Sequence, residues 1–193
     1  MDKIRLMDGS LLIWFQNTFI CENLTPIIKL ITHLGDKGAI WIAITALLLA
    51  FKKTRRAGIF ATFALLGSLL VNNIVLKNLI ARERPYEVFS DVKRLIEIQR
   101  DFSFPSGHSG SSFAAAFAIF LGLHGKLRKF LGGAVIVLAS IISLSRLYVG
   151  VHYPLDVFFG IVDGILIAIC VSKIYEYTER RTSLGEHSHD KHR

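Results

Sequence analysis

The chain has 193 residues, of which 52% are hydrophobic and 20% are charged, with 2 cysteines and a formal net charge of +8. Its mean hydropathy of +0.46 and its long charge-free apolar stretches exclude a disordered, collagen-like or disulfide-stapled protein, and they disfavour a soluble globule. The basic excess would suggest nucleic-acid binding in a soluble domain, but here the positions of the charges matter more than their sum.

The first thirty residues are too polar for a simple membrane span. Within residues 10–29, the apolar side chains of Trp14 and Phe19 stand beside Gln16 and Glu22, whose burial in hydrocarbon would be costly. We therefore expect one or two short helices that lie in the membrane interface, with a sixth span as the alternative. The segment also lacks the unbroken apolar run and the cleavage site of a signal peptide.

Five later segments have the apolar length, about 20 residues, that crossing a bilayer requires. The expected spans are residues 31–51, 57–76, 107–124, 129–146 and 154–174. The predicted fold is therefore an all-α integral membrane bundle of five transmembrane helices, or six with the alternative N-terminal span. Its expected parts are an interfacial segment at 1–30, a transmembrane domain at 31–175 and a disordered cytoplasmic tail at 176–193.

The short basic loops between these spans set the expected orientation. They place Lys and Arg side chains on one side of the membrane, at residues 52–56, 126–129 and 173–181. The positive-inside rule assigns that side to the cytoplasm. We therefore expect a multi-pass plasma-membrane protein with a cytoplasmic C-terminus and with loops 77–106 and 147–153 facing outside.

Charged and polar side chains collect at the outer ends of the spans. Lys77, Arg84 and Arg146 would place three positive charges near one point, which is unfavourable unless an anion lies between them. Arginine presents a fork that matches phosphate oxygens. Ser106 and Gly107 precede a predicted helix, whose free N–H groups also suit an oxyanion. The sequence therefore predicts a phosphate pocket.

Two histidines stand beside this pocket. His152 is followed four residues later by Asp156, which falls in the first helical turn after Pro154 and can orient the imidazole. A histidine held in this way can attack phosphorus, and His108 is free to act as the proton donor. We predict phosphoryl transfer through a phosphohistidine with no cofactor, and with no metal because the three cations would repel a divalent ion.

Four more residues are candidates for accessory roles. Arg82 is either a surface charge or a substrate contact, and Ser145 and Pro105 stand next to residues of the pocket. Asp163 lies seven residues past Asp156, about 10 Å deeper along an ideal helix. It either packs against polar neighbours or serves the substrate or a proton.

In chain order, these residues form three motifs: Lys-x6-Arg-Pro at 77–85, Pro-Ser-Gly-His at 105–108 and Ser-Arg-x5-His-x3-Asp at 145–156. The pattern resembles, at all eleven positions, the signature of the type-2 phosphatidic acid phosphatases. That family is grouped with nonspecific acid phosphatases and vanadium haloperoxidases. The resemblance covers about residues 31–175 and implies a helical bundle with metal-independent hydrolysis of a lipid phosphate or diphosphate.

The resemblance also implies roles for individual residues. His152 would be the nucleophile, Asp156 its partner and His108 the acid that protonates the leaving group. The implied phosphate-binding residues are Lys77, Arg84, Ser106, Gly107 and Arg146.

Together with an outward-facing site, the resemblance favours undecaprenyl diphosphate as the substrate, with phosphatidylglycerol phosphate and phosphatidic acid as alternatives. The expected partners are this lipid and the bilayer, with no nucleic acid and no obligate protein partner. A vanadate-dependent oxidoreductase and a non-catalytic lipid binder are more distant alternatives.

Overall fold

The structure, a computed structural model, describes the backbone of residues 3–190 and the side chains of residues 3–182. All regular structure in this part of the chain is helical. The α-helices are α1 (Lys3–Phe19), α2 (Thr25–Leu34), α3 (Ala39–Ala50), α4 (Arg55–Ser68), α5 (Lys77–Ile80), α6 (Pro85–Val88), α7 (Gly107–Gly122), α8 (Gly125–Leu127), α9 (Gly133–Tyr148) and α10 (Pro154–Asp190). A 3-10 turn (Asp36–Gly38) joins α2 to α3, and π-helical segments (Leu69–Leu76 and Arg128–Gly132) join α4 to α5 and α8 to α9.

The bundle is built around α7, which packs against α4, α9 and α10. Its buried face consists mostly of small residues, among which Ala114, Ala115 and Ala118 are fully buried. A Cβ added to Gly164 on α10 would lie 2.5 Å from the carbonyl oxygen of Gly110, so the backbones of α7 and α10 touch. Small residues permit such close approach, which drives helix association where lipid removes the hydrophobic effect between helices.

The outer surface of the bundle carries large apolar side chains. Phe63, Leu79 and Phe130 are 58%, 76% and 75% exposed. A soluble monomer rarely exposes contiguous apolar surface on this scale. The chain is therefore a membrane-embedded helical protein.

Three helical stretches within the described residues are long and apolar enough to cross a membrane: Arg55–Val88, Gly125–Tyr148 and Pro154–Thr182. A fourth arises if α2 and α3, which meet at a 49° bend, form one broken span. The expected count of five or six spans is thus not confirmed. The helix α7 has only 16 residues, which extend about 24 Å, less than the roughly 30 Å of a hydrocarbon core.

The N-terminal segment docks on the bundle instead of lying apart from it. Leu12 and Gln16 on α1 are buried. The Gln16 side-chain amide donates to the carbonyl oxygens of Lys93, at 2.9 Å, and Tyr148, at 3.1 Å, and accepts from the Lys93 N–H at 2.9 Å. The expected boundary between an interfacial segment and the first span, at residues 30 and 31, falls inside α2.

The last helix is longer than expected. The backbone of α10 continues to Asp190, well into residues 176–193, for which the sequence predicts a disordered tail. Residues 191–193 lie outside the described part of the chain.

Candidate active site

The three sequence motifs converge on a cavity of about 810 Å³ at the end of the bundle where α7 begins. His108, in the first turn of α7, and His152, in the loop between α9 and α10, both line it. The predicted cations Lys77, Arg84 and Arg146 line the same cavity. The structure therefore brings together two imidazoles and three positive charges that are spread over residues 77–152.

Beyond the charged end, the cavity continues as an apolar groove. Its walls include Ile42, Ala46 and Leu49 from α3, and Leu65 and Leu66 from α4. A space that joins clustered cations to an apolar wall matches an amphiphile with an anionic head group.

His152 is buried, with 2% of its side chain exposed. Its Nε2 lies 3.1 Å from Nη1 of Arg84. A guanidinium group has donors only, so Nε2 accepts this hydrogen bond and the ring proton sits on Nδ1. Burial lowers the pKa of His152 well below its ordinary value, and the charges of Arg84 and Arg146 lower it further. The imidazole is therefore neutral, and its lone pair faces Arg84.

Asp156, in the first turn of α10, is fully buried, and its Oδ2 lies 3.5 Å from Nδ1 of His152. The carboxylate accepts hydrogen bonds from Ser103 Oγ at 2.5 Å, from the Tyr153 N–H at 2.9 Å and from Arg82 at 2.5 Å. These donors fix the carboxylate beside the protonated edge of the imidazole, as the four-residue spacing predicts.

Arg82 is neither a free surface charge nor part of the cavity wall. Besides Asp156, its guanidinium pairs with Asp8 of α1 at 2.7 Å and lies over the ring of Tyr153, 3.8 Å from the centroid. Asp8 in turn accepts a hydrogen bond from the Leu155 N–H at the start of α10, at 3.1 Å. Arg82 therefore supports Asp156 from behind, away from the substrate space.

Asp101, which the sequence did not single out, lies between two of the cations. It forms an ion pair with Lys77, accepts from Arg84 Nη2 at 2.5 Å, and its carbonyl oxygen accepts from Arg84 Nε at 3.0 Å. Burial raises the pKa of Asp101, but the two cations outweigh it and lower that pKa to about 2. Asp101 thus supplies the negative charge for which the sequence predicts an external anion. The third cation, Arg146, donates to Thr32 Oγ1 of α2 at 2.6 Å.

His108 has a carboxylate partner that the sequence did not reveal. Its Nε2 lies 3.0 Å from Oδ1 of Asp36, whose Oδ2 lies 2.8 Å from Nδ1 of His33. The one hint in the sequence is a charged residue at the start of an apolar segment, between Gly35 and Gly38.

Among the described residues, the cavity wall does not include Pro105, Ser106, Ser145 or Asp163. Ser106 caps α7 instead, because its Oγ accepts from the Ser109 N–H at 3.3 Å. Ser145 Oγ donates to the Ile142 carbonyl oxygen at 2.6 Å, within α9. Gly107, in contrast, lines the cavity at the N-terminus of α7, where the backbone N–H groups have no partner within the helix.

The polar groups of the cavity suit an anion. In the part of the chain with described side chains, no group of three His, Cys, Asp or Glu residues could hold a metal ion. Three cations and a helix N-terminus instead offer donors to oxyanions, and one imidazole offers a lone pair.

The chain is also similar in sequence to known phosphatases. The model of the PAP2 superfamily matches residues 57–180. The undecaprenyl-diphosphatase of Sulfolobus acidocaldarius is 36% identical over 129 residues, which cover 67% of this chain and 60% of that protein. Phosphatidylglycerophosphatase B of Bacillus subtilis is 31% identical over 162 residues, which cover 78% of this chain and 74% of that protein.

A solved structure has the same fold. The crystal structure of a transmembrane PAP2-type phosphatidylglycerolphosphate phosphatase from Bacillus subtilis matches with a TM-score of 0.72 at 26% identity, covering 92% of this chain and 88% of that one. The chain spans less than two thirds of the Sulfolobus relative, and the family model begins only at residue 57. The match nevertheless includes all three motifs and well over half of the residues, and the chain belongs to the PAP2 superfamily.

Proposed function

We propose that the protein is a metal-independent lipid phosphatase that hydrolyses undecaprenyl diphosphate through a phosphohistidine. One observation carries this proposal: a neutral His152, with its Nε2 lone pair facing Arg84, lines a cation-rich cavity that continues as an apolar groove. A binding protein would need the cations but not a nucleophile with an oriented lone pair.

The first step transfers the terminal phosphoryl group to the protein. Arg84 moves from Nε2 of His152 to a phosphate oxygen, and Nε2 attacks the terminal phosphorus. As the N–P bond forms, the bond between phosphorus and the bridging oxygen breaks, and His108 gives a proton to the departing lipid phosphate. The positive charge that develops on the His152 ring is stabilised by Asp156, which faces its Nδ1.

The second step releases phosphate. A water molecule attacks the phosphorus of the phosphohistidine while the neutral His108 accepts its proton. The N–P bond breaks, inorganic phosphate leaves, and Nε2 of His152 regains its lone pair. The cations Lys77 and Arg146 stabilise the charge on the transferred group in both steps.

The proposed substrate rests on the groove and on the relatives. The apolar walls of α3 and α4 suit a long hydrocarbon chain, and the Sulfolobus relative carries the name undecaprenyl-diphosphatase. Phosphatidylglycerol phosphate is the second candidate, because phosphatidylglycerophosphatase B of Bacillus subtilis matches over a larger share of both chains.

The distribution of charge supports a site on the outer face of the plasma membrane. Arg56, at the start of α4, pairs with Glu176 of α10 at 3.6 Å. Glu176 lies twenty residues beyond Asp156, about 30 Å along an ideal helix. The basic loop 52–56 is therefore at the end of the bundle opposite to the cavity, and the positive-inside rule puts that end in the cytoplasm.

Phosphate release from the purified protein in detergent, with a chelator present, tests the proposal. Undecaprenyl diphosphate, phosphatidylglycerol phosphate and phosphatidic acid are compared, with His152→Ala as the inactive variant and His124→Ala, an exposed histidine outside the cavity, as the matched control. We expect the highest kcat/KM with undecaprenyl diphosphate and no turnover by His152→Ala. Absence of release from all three lipids by folded protein would overturn the phosphatase assignment.

Brief reaction with substrate labelled in its terminal phosphate tests the intermediate. Acid-labile, alkali-stable label should remain on the wild-type protein and on His124→Ala, and should be absent from His152→Ala. Turnover by the wild-type protein without any trapped label under rapid quenching would argue for direct attack by water.

A further inference from the structure

Asp36 lies on a turn that packs directly against the imidazole of His108. The turn has left-handed backbone at two residues, with φ of 53° at Lys37 and 70° at Gly38. A Cβ added to Gly35 would lie 2.6 Å from Cδ2 of His108 and 3.3 Å from its Nε2. The turn between α2 and α3 therefore covers the Cδ2–Nε2 edge of the ring.

The hydrogen bonds of this turn define the protonation of the ring. Oδ1 of Asp36 lies 3.0 Å from Nε2 of His108, and Oδ2 lies 2.8 Å from Nδ1 of His33. An ionised carboxylate accepts only, so Nε2 of His108 carries a proton. The nitrogen left for the reacting group is therefore Nδ1.

Apart from Asp36, the main charged groups that act on His108 are the cations Arg146 and Lys77. Both line the same cavity, as does the neutral imidazole of His152, and 15% of the His108 side chain is exposed. An imidazolium in this position is poorly solvated and is repelled by both cations. The carboxylate of Asp36 opposes that repulsion in part, although burial and the cations still keep the pKa of His108 below its ordinary value.

We propose that Asp36 is the positioning residue for acid catalysis by His108. Its carboxylate holds Nε2–H, stabilises the imidazolium and directs Nδ1–H at the leaving oxygen. This inference rests on the proposed phosphatase function. In the first step the Nδ1 proton passes to the oxygen whose bond to phosphorus breaks. In the second step Nδ1 takes a proton from the attacking water, and Nε2 keeps its proton throughout.

The dependence of rate on the leaving group tests this role. A poor leaving group such as an alkoxide needs a proton, whereas p-nitrophenolate leaves without one. We expect Asp36→Asn to lower kcat/KM, which reports the first step, by about 100-fold for octyl phosphate and by less than about fivefold for p-nitrophenyl phosphate. Asp91→Asn, which removes an exposed loop carboxylate, is the matched control and should change neither value.

Two further measurements separate positioning from a structural role. With octyl phosphate, the alkaline limb of the kcat/KM profile should move to lower pH in Asp36→Asn, because the imidazolium loses its carboxylate while Arg146 and Lys77 remain. In a His108→Gln background, Asp36→Asn should cause no additional loss, since the two residues act as one unit.

The wild-type protein is assayed on both esters first, so that failure of the proposed function appears before any substitution is made. Equal losses of kcat/KM on the two esters, an unmoved alkaline limb, or additive losses in the double variant would each overturn the role of Asp36. Should Asp36→Asn fail to purify as folded protein, Asp36→Glu, which keeps the charge but displaces it, is compared on the same two esters.

Discussion

One guanidinium, that of Arg82, serves two buried carboxylates. Its Nη1 donates to Asp156 at 2.5 Å and its Nη2 to Asp8 at 2.7 Å, and the two carboxylate side chains are 0% and 2% exposed. Arg82 thereby links α1 to the start of α10 and neutralises part of the charge beside His152. Arg82 lies two positions before Arg84 of the first motif, yet it contacts Asp156 and does not line the cavity.

Replacement of Arg82 should therefore destabilise the protein before it affects substrate contacts. In Arg82→Gln, two carboxylates lose their cation in a buried environment, and we expect a loss of about 3 kcal/mol in the free energy of unfolding. Thermal unfolding in detergent measures this change. Arg94→Gln, which removes an exposed arginine that lies over the Tyr86 ring, is the control. A melting temperature equal to that of the control would contradict the prediction.

Asp101 should compete with phosphate for Lys77 and Arg84. In Asp101→Asn, the negative charge between these cations is lost, and we expect inorganic phosphate to inhibit at about tenfold lower concentration, as expected for one charge-assisted hydrogen bond. Inhibition of p-nitrophenyl phosphate hydrolysis gives this value directly. Asp91→Asn again serves as the control. Weaker inhibition by phosphate in Asp101→Asn would show that this carboxylate assists binding instead of opposing it.

The tautomer and charge of His152 can be observed by nitrogen NMR of histidine-labelled protein. The pKa of His152 is lowered by burial and by Arg84, so the ring should remain neutral, with Nε2 unprotonated, as the pH falls through the ordinary histidine pKa of about 6.5. The signal is assigned by its absence from His152→Gln. A signal that titrates near pH 6.5, as in the unfolded chain, would refute both the lowered pKa and the assigned tautomer.

The same pKa makes stability depend on pH. Below about pH 6.5 the unfolded chain binds a proton at residue 152 that the folded chain does not bind, so the free energy of unfolding falls as pH falls. Unfolding midpoints at pH 7 and pH 5.5 measure the effect, which should be smaller in His152→Gln. The Asp101 carboxylate has a pKa of about 2, so its protonation lowers the free energy of unfolding only at more acidic pH. Equal midpoints in the wild-type protein would contradict this linkage.

The contact between α7 and α10 should tolerate no side chain at Gly164. A Cβ there would lie 2.5 Å from the Gly110 carbonyl oxygen and 2.8 Å from the Ala114 nitrogen, both backbone atoms. We expect Gly164→Ala to lower the free energy of unfolding by about 2 kcal/mol. Gly133→Ala, where the added Cβ meets no atom within 4 Å, should be neutral or stabilising by up to about 1 kcal/mol. Equal changes in the free energy of unfolding for the two substitutions would contradict close packing of α7 against α10 at Gly164.

The residues that the sequence predicted best are those related by local geometry. His152 lies two residues before α10 and Asp156 lies in its first turn, so a helix that begins at Pro154 keeps the two side chains close together. The all-helical, membrane-embedded character follows equally directly from the apolar segments. The number of spans does not follow from them, because an apolar stretch of sufficient length need not form one continuous helix. The helix α7 ends at Gly122 and is too short to cross a membrane by itself.

The contacts that the sequence did not predict join distant segments. His108 and Asp36 are 72 residues apart, and their contact depends on a left-handed turn at Lys37 and Gly38. Asp101 lies in a loop without regular structure, where no periodicity indicates which side chain faces the cations. Long-range pairs of this kind are set by how the helices pack, which a single sequence does not specify.

The segment upstream of residue 57 lies outside the region matched by the family model, yet it reaches each of the motifs that define the family. Asp8 contacts Arg82, Thr32 contacts Arg146, and Asp36 contacts His108. Substitutions in this segment would thus alter the charge and mobility of motif residues while the motifs themselves stay unchanged. We therefore expect that two proteins with identical motifs can differ in pH optimum or substrate preference because their residues upstream of the family region differ.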